Sequence, residues 1–256
     1  GGRHADADRA LDHALRLAAE GADALDIGGL STRPGQGAPV GPDEEWRRLE
    51  PVLASVAGRV SIPLSVDTYR ASVARRALEA GVSMINDVSG LTADPEMAGV
   101  VADSGAGLVL MHALGAPEAM HAPREYGDVG LEVRDFLAAR MAEAVARGVA
   151  TERIALDPGI GFSKRADQSV AALRALPLLT ALGRPLYIGV SRKSFLGQLT
   201  GRPVEERLPA SLGAAVAAVA LGARIVRTHD VAATRDALLA AEALLHPGPL
   251  REASRA

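Results

Sequence analysis

Short apolar runs and helical segments alternate along almost the whole chain. The apolar runs end near Asp26, Val66, Asn86, Met111, Leu156, Val190 and Val226. Helical periodicity is present at 11–19 and then near 43–57, 70–80, 94–104, 129–148, 167–182, 204–221 and 230–244. Because consecutive parallel strands need a return about as long as a helix, this alternation predicts right-handed crossovers and a parallel α/β sheet.

Doubly wound open sheets and (β/α)8 barrels both show this alternation. The length of 256 residues matches the roughly 250 residues of one barrel, and no linker or shift in composition divides the chain. Seven strands are counted and the chain opens with a helix, so eight βα units require one further strand before Gly1. We therefore predict a (β/α)8 TIM barrel whose first strand is missing from this chain. Residues 1–245 would form one domain and 246–256 a flexible tail.

The composition narrows the possible partners. Charged residues make up 23%, the formal net charge is −3 and the pI is about 6.1, so we expect neither nucleic acid nor membrane binding. Cysteine is absent, which excludes disulfides, a thiolate nucleophile and a zinc–thiolate site. No apolar run approaches the ~18 residues that span a bilayer, and the opening GGRHADADRA lacks a signal-peptide pattern. We expect a soluble, cytoplasmic protein.

A polar signature follows each predicted strand. The seven signatures are DIGGLSTRPG, SVDTYR, INDVSG, LMHALG, LDPGIGFSK, GVSRKSFLG and VRTHDV. In parallel barrels the active site lies at the carboxyl ends of the strands, because packed side chains fill the barrel interior. These loops therefore predict a binding site at one end of the barrel.

In this order and spacing, the signatures resemble those of the dihydropteroate synthases, from Gly1 to about residue 245. The resemblance implies condensation of 6-hydroxymethyl-7,8-dihydropterin diphosphate with 4-aminobenzoate, which yields 7,8-dihydropteroate and diphosphate. It also implies Mg²⁺ as the cofactor and a homodimer. The Ala-rich helix near 208–221, apolar on nearly every side, adds a predicted burial or dimer contact.

The residues at the strand ends suit a pterin. Its pyrimidine edge presents adjacent N–H donors beside a carbonyl, so an ionised Asp157 can accept two hydrogen bonds while Lys193 or Asn86 donates. The resemblance adds Asp67 as a further pterin contact and lays the guanidinium of Arg227 against the pterin face.

The resemblance also assigns the remaining substrate contacts. For the diphosphate the predicted ligands are Arg33, Asn86, Arg227 and His229. For 4-aminobenzoate they are Thr32, Pro34, Phe162, Ser191 and Lys193, and Met111 completes the predicted substrate-binding set. The predicted catalytic residues are Asp67, Asp157, Lys193, Arg227 and His229.

Some residues depart from the family pattern. Leu30 stands where the family has Glu, Leu114 where Gln is usual, and Ser169 where Asn is common. The family's Asn ligand for Mg²⁺ belongs to the first strand, so no metal ligand is predicted in this chain. Two alternatives stay open: a catalytically silent pterin-binding paralogue, and a folate-dependent methyltransferase barrel, which would not need SRKSFLG or STRPG.

Overall fold

The computed structural model describes residues 7–30 and 40–245. Within these residues, parallel strands pair in chain order to form one seven-stranded sheet. The strands are β1 Leu25–Gly28, β2 Leu64–Asp67, β3 Met84–Asp87, β4 Gly107–Met111, β5 Ile154–Asp157, β6 Leu186–Gly189 and β7 Ala223–Arg227. The predicted parallel α/β alternation is therefore confirmed.

Helices connect successive strands. They are α1 Ala7–Ala19, α2 Pro42–Val56, α3 Ala71–Glu79, α4 Met97–Ser104, α5 Val129–Ala146, α6 Ala166–Arg174, α7 Leu176–Thr180, α8 Ser194–Thr200, α9 Leu208–Ala220 and α10 Val231–Leu245. Local sequence explains where several of them begin. Pro42 lies in the first turn of α2, where its missing N–H costs nothing, and Asp128 caps α5 by accepting a 2.9 Å hydrogen bond from Leu131 N.

Two helical predictions were wrong in detail, and one helix was not predicted. The helix predicted over 167–182 is two helices, α6 and α7, because Pro177 cannot donate a backbone hydrogen bond and instead occupies the first turn of α7. The segment 204–206 is a 3-10 turn ahead of α9. The sequence analysis missed α8, whose seven residues are too few for a clear helical period.

The middle and the margins of the sheet are buried to different degrees. Every residue of β5 and β6 is buried, whereas most of β1 and β7 is half-buried or exposed. No backbone pairing joins β1 to β7 within the described residues. The side chains of Asp26 and Arg227 nevertheless meet across the two margins, 2.8 Å apart. The sheet is therefore curled so that its first and last strands approach each other.

Two predictions about the chain stay predictions. The seven observed strands agree with the count from the sequence, but the complete eight-stranded barrel and its missing first strand are not tested by them. The proposed tail, 246–256, lies outside the described residues, so the division at residue 245 is not tested either. Across the described part of the chain, no helix combines the length and the apolar character needed to cross a membrane.

Candidate active site

The carboxyl ends of the strands open into a cavity of about 3080 Å³, which continues into the gap between β1 and β7. Its lining at the strand ends includes Asp26, Asp67, Phe162, Ser191, Lys193, Arg227 and His229. Along the gap, its lining is mostly apolar and includes Leu17, Ile27, Val226 and Leu238. The cavity therefore has a polar end, where a charged ligand can be held, and an apolar side.

An ion cluster lies at the end of the two marginal strands. Asp26 Oδ2 accepts hydrogen bonds from Arg227 Nε at 2.8 Å and from Asn86 Nδ2 at 3.1 Å. Arg227 Nη2 lies 3.8 Å from Asp67 Oδ2. These contacts bring β1, β2, β3 and β7 together around one guanidinium.

The cluster shifts the protonation of its members. Burial, and then the charge of Asp26, raises the pKa of Asp67 to about 7, although Arg227 opposes the shift. The charge of Asp26 in turn raises the pKa of Arg227. Within the described residues, Asp26 Oδ1 and Asn86 Oδ1 are buried and have no hydrogen-bond partner. The cluster thus retains acceptors that a ligand with N–H groups could satisfy.

Asp157 ends β5 and is 6% exposed. Its Oδ1 accepts a 2.7 Å hydrogen bond from Gly159 N, which ties the carboxylate to the loop that follows the strand. Burial raises the pKa of Asp157, while the charge of Lys193 lowers it. The charge of the Lys193 ammonium thus favours the ionised, accepting form of the carboxylate.

Lys193 faces the same loop from the other side of the cavity. It immediately precedes α8, its Nζ donates to the carbonyl oxygen of Ile160, and it lies 4.7 Å from the ring centroid of Phe162. Burial lowers the pKa of Lys193 to about 8, although Asp157 opposes the shift. Phe162 also packs against the ring of His121, with centroids 4.7 Å apart. An ammonium and an aromatic face therefore lie side by side at the mouth of the cavity.

The loops after β6 and β7 are bonded to each other. His229 donates a backbone hydrogen bond of 3.2 Å to Ser191 Oγ, and its Nδ1 lies 2.9 Å from the same oxygen. Arg192 has a left-handed φ of 55° and forms a two-pronged ion pair with Asp230, at 2.8 and 2.7 Å. Because that conformation is unfavourable for a side chain other than glycine, the ion pair helps to hold the loop that presents Lys193.

Met111 and Asp87 are more deeply buried than Lys193 and Arg227. Met111 ends β4, is 2% exposed and packs with Val88, Met120 and Phe162. Asp87 accepts hydrogen bonds from the backbone of Ser89 and Leu91, both at 2.8 Å, and from the Ser89 hydroxyl. A strand-end aspartate in INDVSG therefore closes its own loop, unlike Asp157, which accepts only the Gly159 hydrogen bond among the described residues.

The structure brings most of the predicted residues to one end of the sheet. Those that lie there are Asp67, Asn86, Met111, Asp157, Phe162, Ser191, Lys193, Arg227 and His229. Thr32, Arg33 and Pro34 lie outside the described residues. The individual roles assigned to these side chains stay predictions.

Sequence reasoning missed two residues of this region. Asp26 is the partner that connects Arg227 to Asn86, and its position at a strand end could have identified it, as it did Asp67 and Asp157. Lys164 is 5% exposed beside the Asp157 loop. The only signal for Lys164 in the sequence was its place at the end of DPGIGFSK.

The described residues offer poor ligands for a metal ion. They contain no group of three or more His, Cys, Asp or Glu side chains that could hold one. The carboxylates of Asp26 and Asp67 both face Arg227. A protein-held Mg²⁺ site therefore does not fit this part of the chain.

A curled parallel sheet with acidic, amide and basic side chains at its carboxyl ends defines a barrel-like α/β enzyme that binds a small polar ring. Residues 1–229 match the family described as pterin binding enzyme. The chain belongs to this family and, within it, to the dihydropteroate synthases.

Several relatives of the chain are dihydropteroate synthases, which supports this assignment. A dihydropteroate synthase from Neisseria meningitidis serogroup C is 48% identical over 241 residues, which are 93% of this chain and 84% of the relative. The Xanthomonas albilineans dihydropteroate synthase, solved with 4-aminobenzoic acid, is 44% identical with a TM-score of 0.89, and the match covers 97% of this chain and 88% of that one. A second structure of that enzyme, in complex with 7,8-dihydropteroate, is 42% identical with a TM-score of 0.85 over the same shares.

Proposed function

We infer that the chain is a dihydropteroate synthase, which joins 6-hydroxymethyl-7,8-dihydropterin diphosphate to 4-aminobenzoate and releases diphosphate. The observation that carries this inference is the buried Asn86 beside the ion cluster. Its Oδ1 has no hydrogen-bond partner within the described residues and its Nδ2 is held by Asp26. Because a buried unpaired acceptor costs about 1–3 kcal/mol, a ligand that presents N–H donors would be bound favourably there.

The pterin would bind through its pyrimidine edge. Asp157 accepts from adjacent N–H groups, Asn86 Oδ1 accepts from a further N–H group, and Lys193 donates to the carbonyl and ring nitrogen. The guanidinium of Arg227, held in place by Asp26 and Asp67, would lie against the pterin face. The carboxylates of Asp67 and Asp157 favour the positive charge that develops on the pterin when the leaving group departs.

The reaction breaks one C–O bond and forms one C–N bond. The electron pair of the C–O bond leaves with diphosphate, the neutral arylamine nitrogen attacks the exposed carbon, and the nitrogen then loses one proton. We assign His229 and Ser191 to the diphosphate side, and Phe162 and Lys193 to the arylamine side. No covalent nucleophile is required, so catalysis consists of positioning and electrostatic stabilisation.

A turnover assay tests this function. Formation of dihydropteroate should require both substrates, and the Lys193→Ala variant should lose most of the activity while its melting temperature falls by no more than a few degrees. A well-folded protein that binds pterin and yet makes no dihydropteroate from both substrates would instead be the silent pterin-binding paralogue. Leu30 would then be the first residue to exchange for Glu.

We also propose that one further parallel strand fills the gap between β1 and β7. The support is the apolar lining of that gap, the lack of pairing between the two margins in the described residues, and the resemblance to a (β/α)8 barrel. An unpaired margin leaves backbone N–H and C=O groups open and favours aggregation.

An added strand tests that proposal. In the dihydropteroate synthases that the chain resembles, the first strand and its loop carry an Asn and the sequence DSFSD. A chain that carries such an apolar strand, with the Asn and DSFSD, ahead of Gly1 should aggregate less and melt at a higher temperature, by about 2–4 °C for each kcal/mol gained. A scrambled segment of the same composition is the control. Equal melting temperatures for the two extended chains would contradict the proposed strand.

Three further features stay proposals. Mg²⁺ dependence is tested by turnover with and without a chelator, and no step above depends on the metal. The homodimer is tested by light scattering, with the Ala-rich α9 as its proposed contact. A cytoplasmic location is tested by fractionation of the source cells.

A further inference from the structure

The chain contains only two lysines, Lys164 and Lys193, whereas its other 26 basic residues are arginines. Both lysines bind the loop that follows β5, at the edge of the candidate site. Lys164 is 5% exposed, and Lys193 lines the cavity with its ammonium bonded to the Ile160 carbonyl. In a chain that uses arginine everywhere else, two lysines so close together indicate positions that a guanidinium does not fit.

The surroundings of Lys164 explain why an ammonium is required. Its Nζ lies 2.9 Å from His112 Nδ1, 3.1 Å from the carbonyl oxygen of Gly159 and 3.2 Å from the carbonyl oxygen of Phe162. Burial, and then the charge of Lys164, lowers the pKa of His112 to about 3, so the ring is neutral and Nδ1 can accept. Three N–H donors thus meet three separate acceptors, an arrangement that the planar fork of arginine does not match.

The two lysines hold the same loop from opposite sides. Lys164 binds the carbonyls of Gly159 and Phe162 from within the protein, and Lys193 binds the carbonyl of Ile160 from the cavity. Gly159 has a φ of 66°, and a Cβ there would collide with the carbonyl oxygen of His112. The loop is therefore fixed closely against the end of β4.

The loop of residues 158–163 holds groups that we assign to both substrates. Gly159 N donates to the Asp157 carboxylate, and the Phe162 ring lies beside the Lys193 ammonium. Asp157 itself belongs to the buried strand β5, so the position of Lys164 is transmitted chiefly to the aromatic wall of the arylamine subsite.

We propose that Lys164 is a positioning residue of the synthase, whose ammonium fixes the 158–163 loop so that Phe162 and Lys193 form the arylamine subsite. This proposal rests on the proposed function. Lys164 itself touches no substrate; it acts through the carbonyl groups that it binds.

Among residues 7–30 and 40–245, four charged or titratable groups face Lys164. They are His112 from the end of β4, Asp157 from the end of β5, Lys193 from the loop before α8 and Tyr126, whose ring centroid lies 5.8 Å from Nζ. Burial lowers the pKa of Lys164 to about 7, and Asp157 opposes that shift. A rise in pH through about 7 should therefore weaken its hold on the loop.

Ligand binding in two variants gives the first test. Lys164→Met keeps the length of the side chain and removes the ammonium, and Arg165→Met removes the next cation, whose side chain is 44% exposed. Calorimetry compares pteroate, which spans both subsites, with 6-hydroxymethylpterin, which occupies one. Lys164→Met should weaken pteroate binding about 10–100-fold, because small displacements of positioning groups cost up to about 100-fold. Binding of 6-hydroxymethylpterin should weaken less than 3-fold, and Arg165→Met should change neither affinity.

Chemical rescue separates positioning from general damage to the fold. Because the chain has no cysteine, Lys164→Cys can be alkylated selectively in denaturant and refolded. Treatment with 2-bromoethylamine restores an ammonium at nearly the original length, whereas iodoethane adds a neutral group. Pteroate affinity should recover with the first reagent and not with the second. Equal affinities after the two treatments would overturn the proposal.

A measurement without ligand keeps this test independent of the proposed function. Lysine labelled with ¹³C at the ε carbon should give two side-chain signals, and the one that survives in Lys164→Met belongs to Lys193. That signal should shift relative to the wild-type protein but not in Arg165→Met. If the wild-type protein binds neither pteroate nor 6-hydroxymethylpterin, the proposed function fails; an unshifted Lys193 signal overturns the positioning role whether or not ligand binds.

Discussion

The buried strands β4 to β6 and the marginal strands β1 and β7 belong to one sheet but are held in different ways. In the middle, backbone pairing and a packed core fix the strands, and Leu108, Leu156 and Ile188 are fully buried. At the margins, β1 and β7 are each paired with only one neighbour among the described strands, and the guanidinium of Arg227 contacts Asp26 and Asp67 across the gap between them. The comparison teaches that the proposed pterin contact of Asp157 is held by a buried strand, whereas Arg227, on the other side of the candidate site, is held by ion pairs.

The largest effect on pterin binding should come from Asp157, at the end of the buried strand β5. Asp157→Asn replaces an acceptor by an amide that opposes a donor to the N–H groups of the pterin, which should cost about 2–4 kcal/mol of binding free energy. Calorimetric titration with 6-hydroxymethylpterin measures this loss. Asp167→Asn, at an aspartate that is 71% exposed, is the matched control and should bind normally. Unchanged affinity in Asp157→Asn would remove that carboxylate from the site.

A smaller effect on pterin binding is expected from Arg227, at the end of the marginal strand β7. Arg227→Met removes the cation that joins Asp26 to Asp67 and should weaken pterin binding about 10-fold, since a cation over a ring contributes about 0.5–2 kcal/mol. The change in unfolding free energy should be no more than about 1 kcal/mol, because the Arg227 side chain is 42% exposed and solvent screens its charge. Arg224→Met, on the same strand, is the control for thermal unfolding and calorimetry. A large loss of stability with intact pterin affinity would give Arg227 a purely structural role.

The smallest effect is the dependence of pterin affinity on pH. Because burial raises the pKa of Asp67 to about 7, its protonated fraction falls as the pH rises through that value. The ionised form is the acceptor, so pterin affinity should increase between pH 6 and 7.5, by no more than about 10-fold per pH unit. Asp67→Asn should flatten this dependence. A wild-type affinity that is constant over this range would place the pKa of Asp67 outside it.

The alternation of strands and helices and the number of strands could be predicted from the sequence, because they depend on local periodicity. The strand-end positions of Asp67, Asn86 and Asp157 could be predicted as well, because the active sites of parallel barrels lie at the carboxyl ends of the strands. The sequence could not supply the ion pair of Asp26 with Arg227, which joins residues 201 positions apart and depends on how far the sheet curls. It also missed Lys164, because the three acceptors of its ammonium are two backbone carbonyls and a neutral histidine that only the folded chain assembles.

The most direct test of the account is the response of the two lysine signals to a pterin. In protein labelled at the lysine ε carbon, saturating 6-hydroxymethylpterin should shift the Lys193 signal strongly and the Lys164 signal only slightly. In the free protein, Lys193 should titrate near pH 8, because burial lowers its pKa to about 8. Titration of Lys193 near the ordinary lysine value of about 10.4 would contradict the burial of its ammonium. A Lys193 signal that does not move with saturating pterin would contradict a pterin site at the carboxyl ends of these strands.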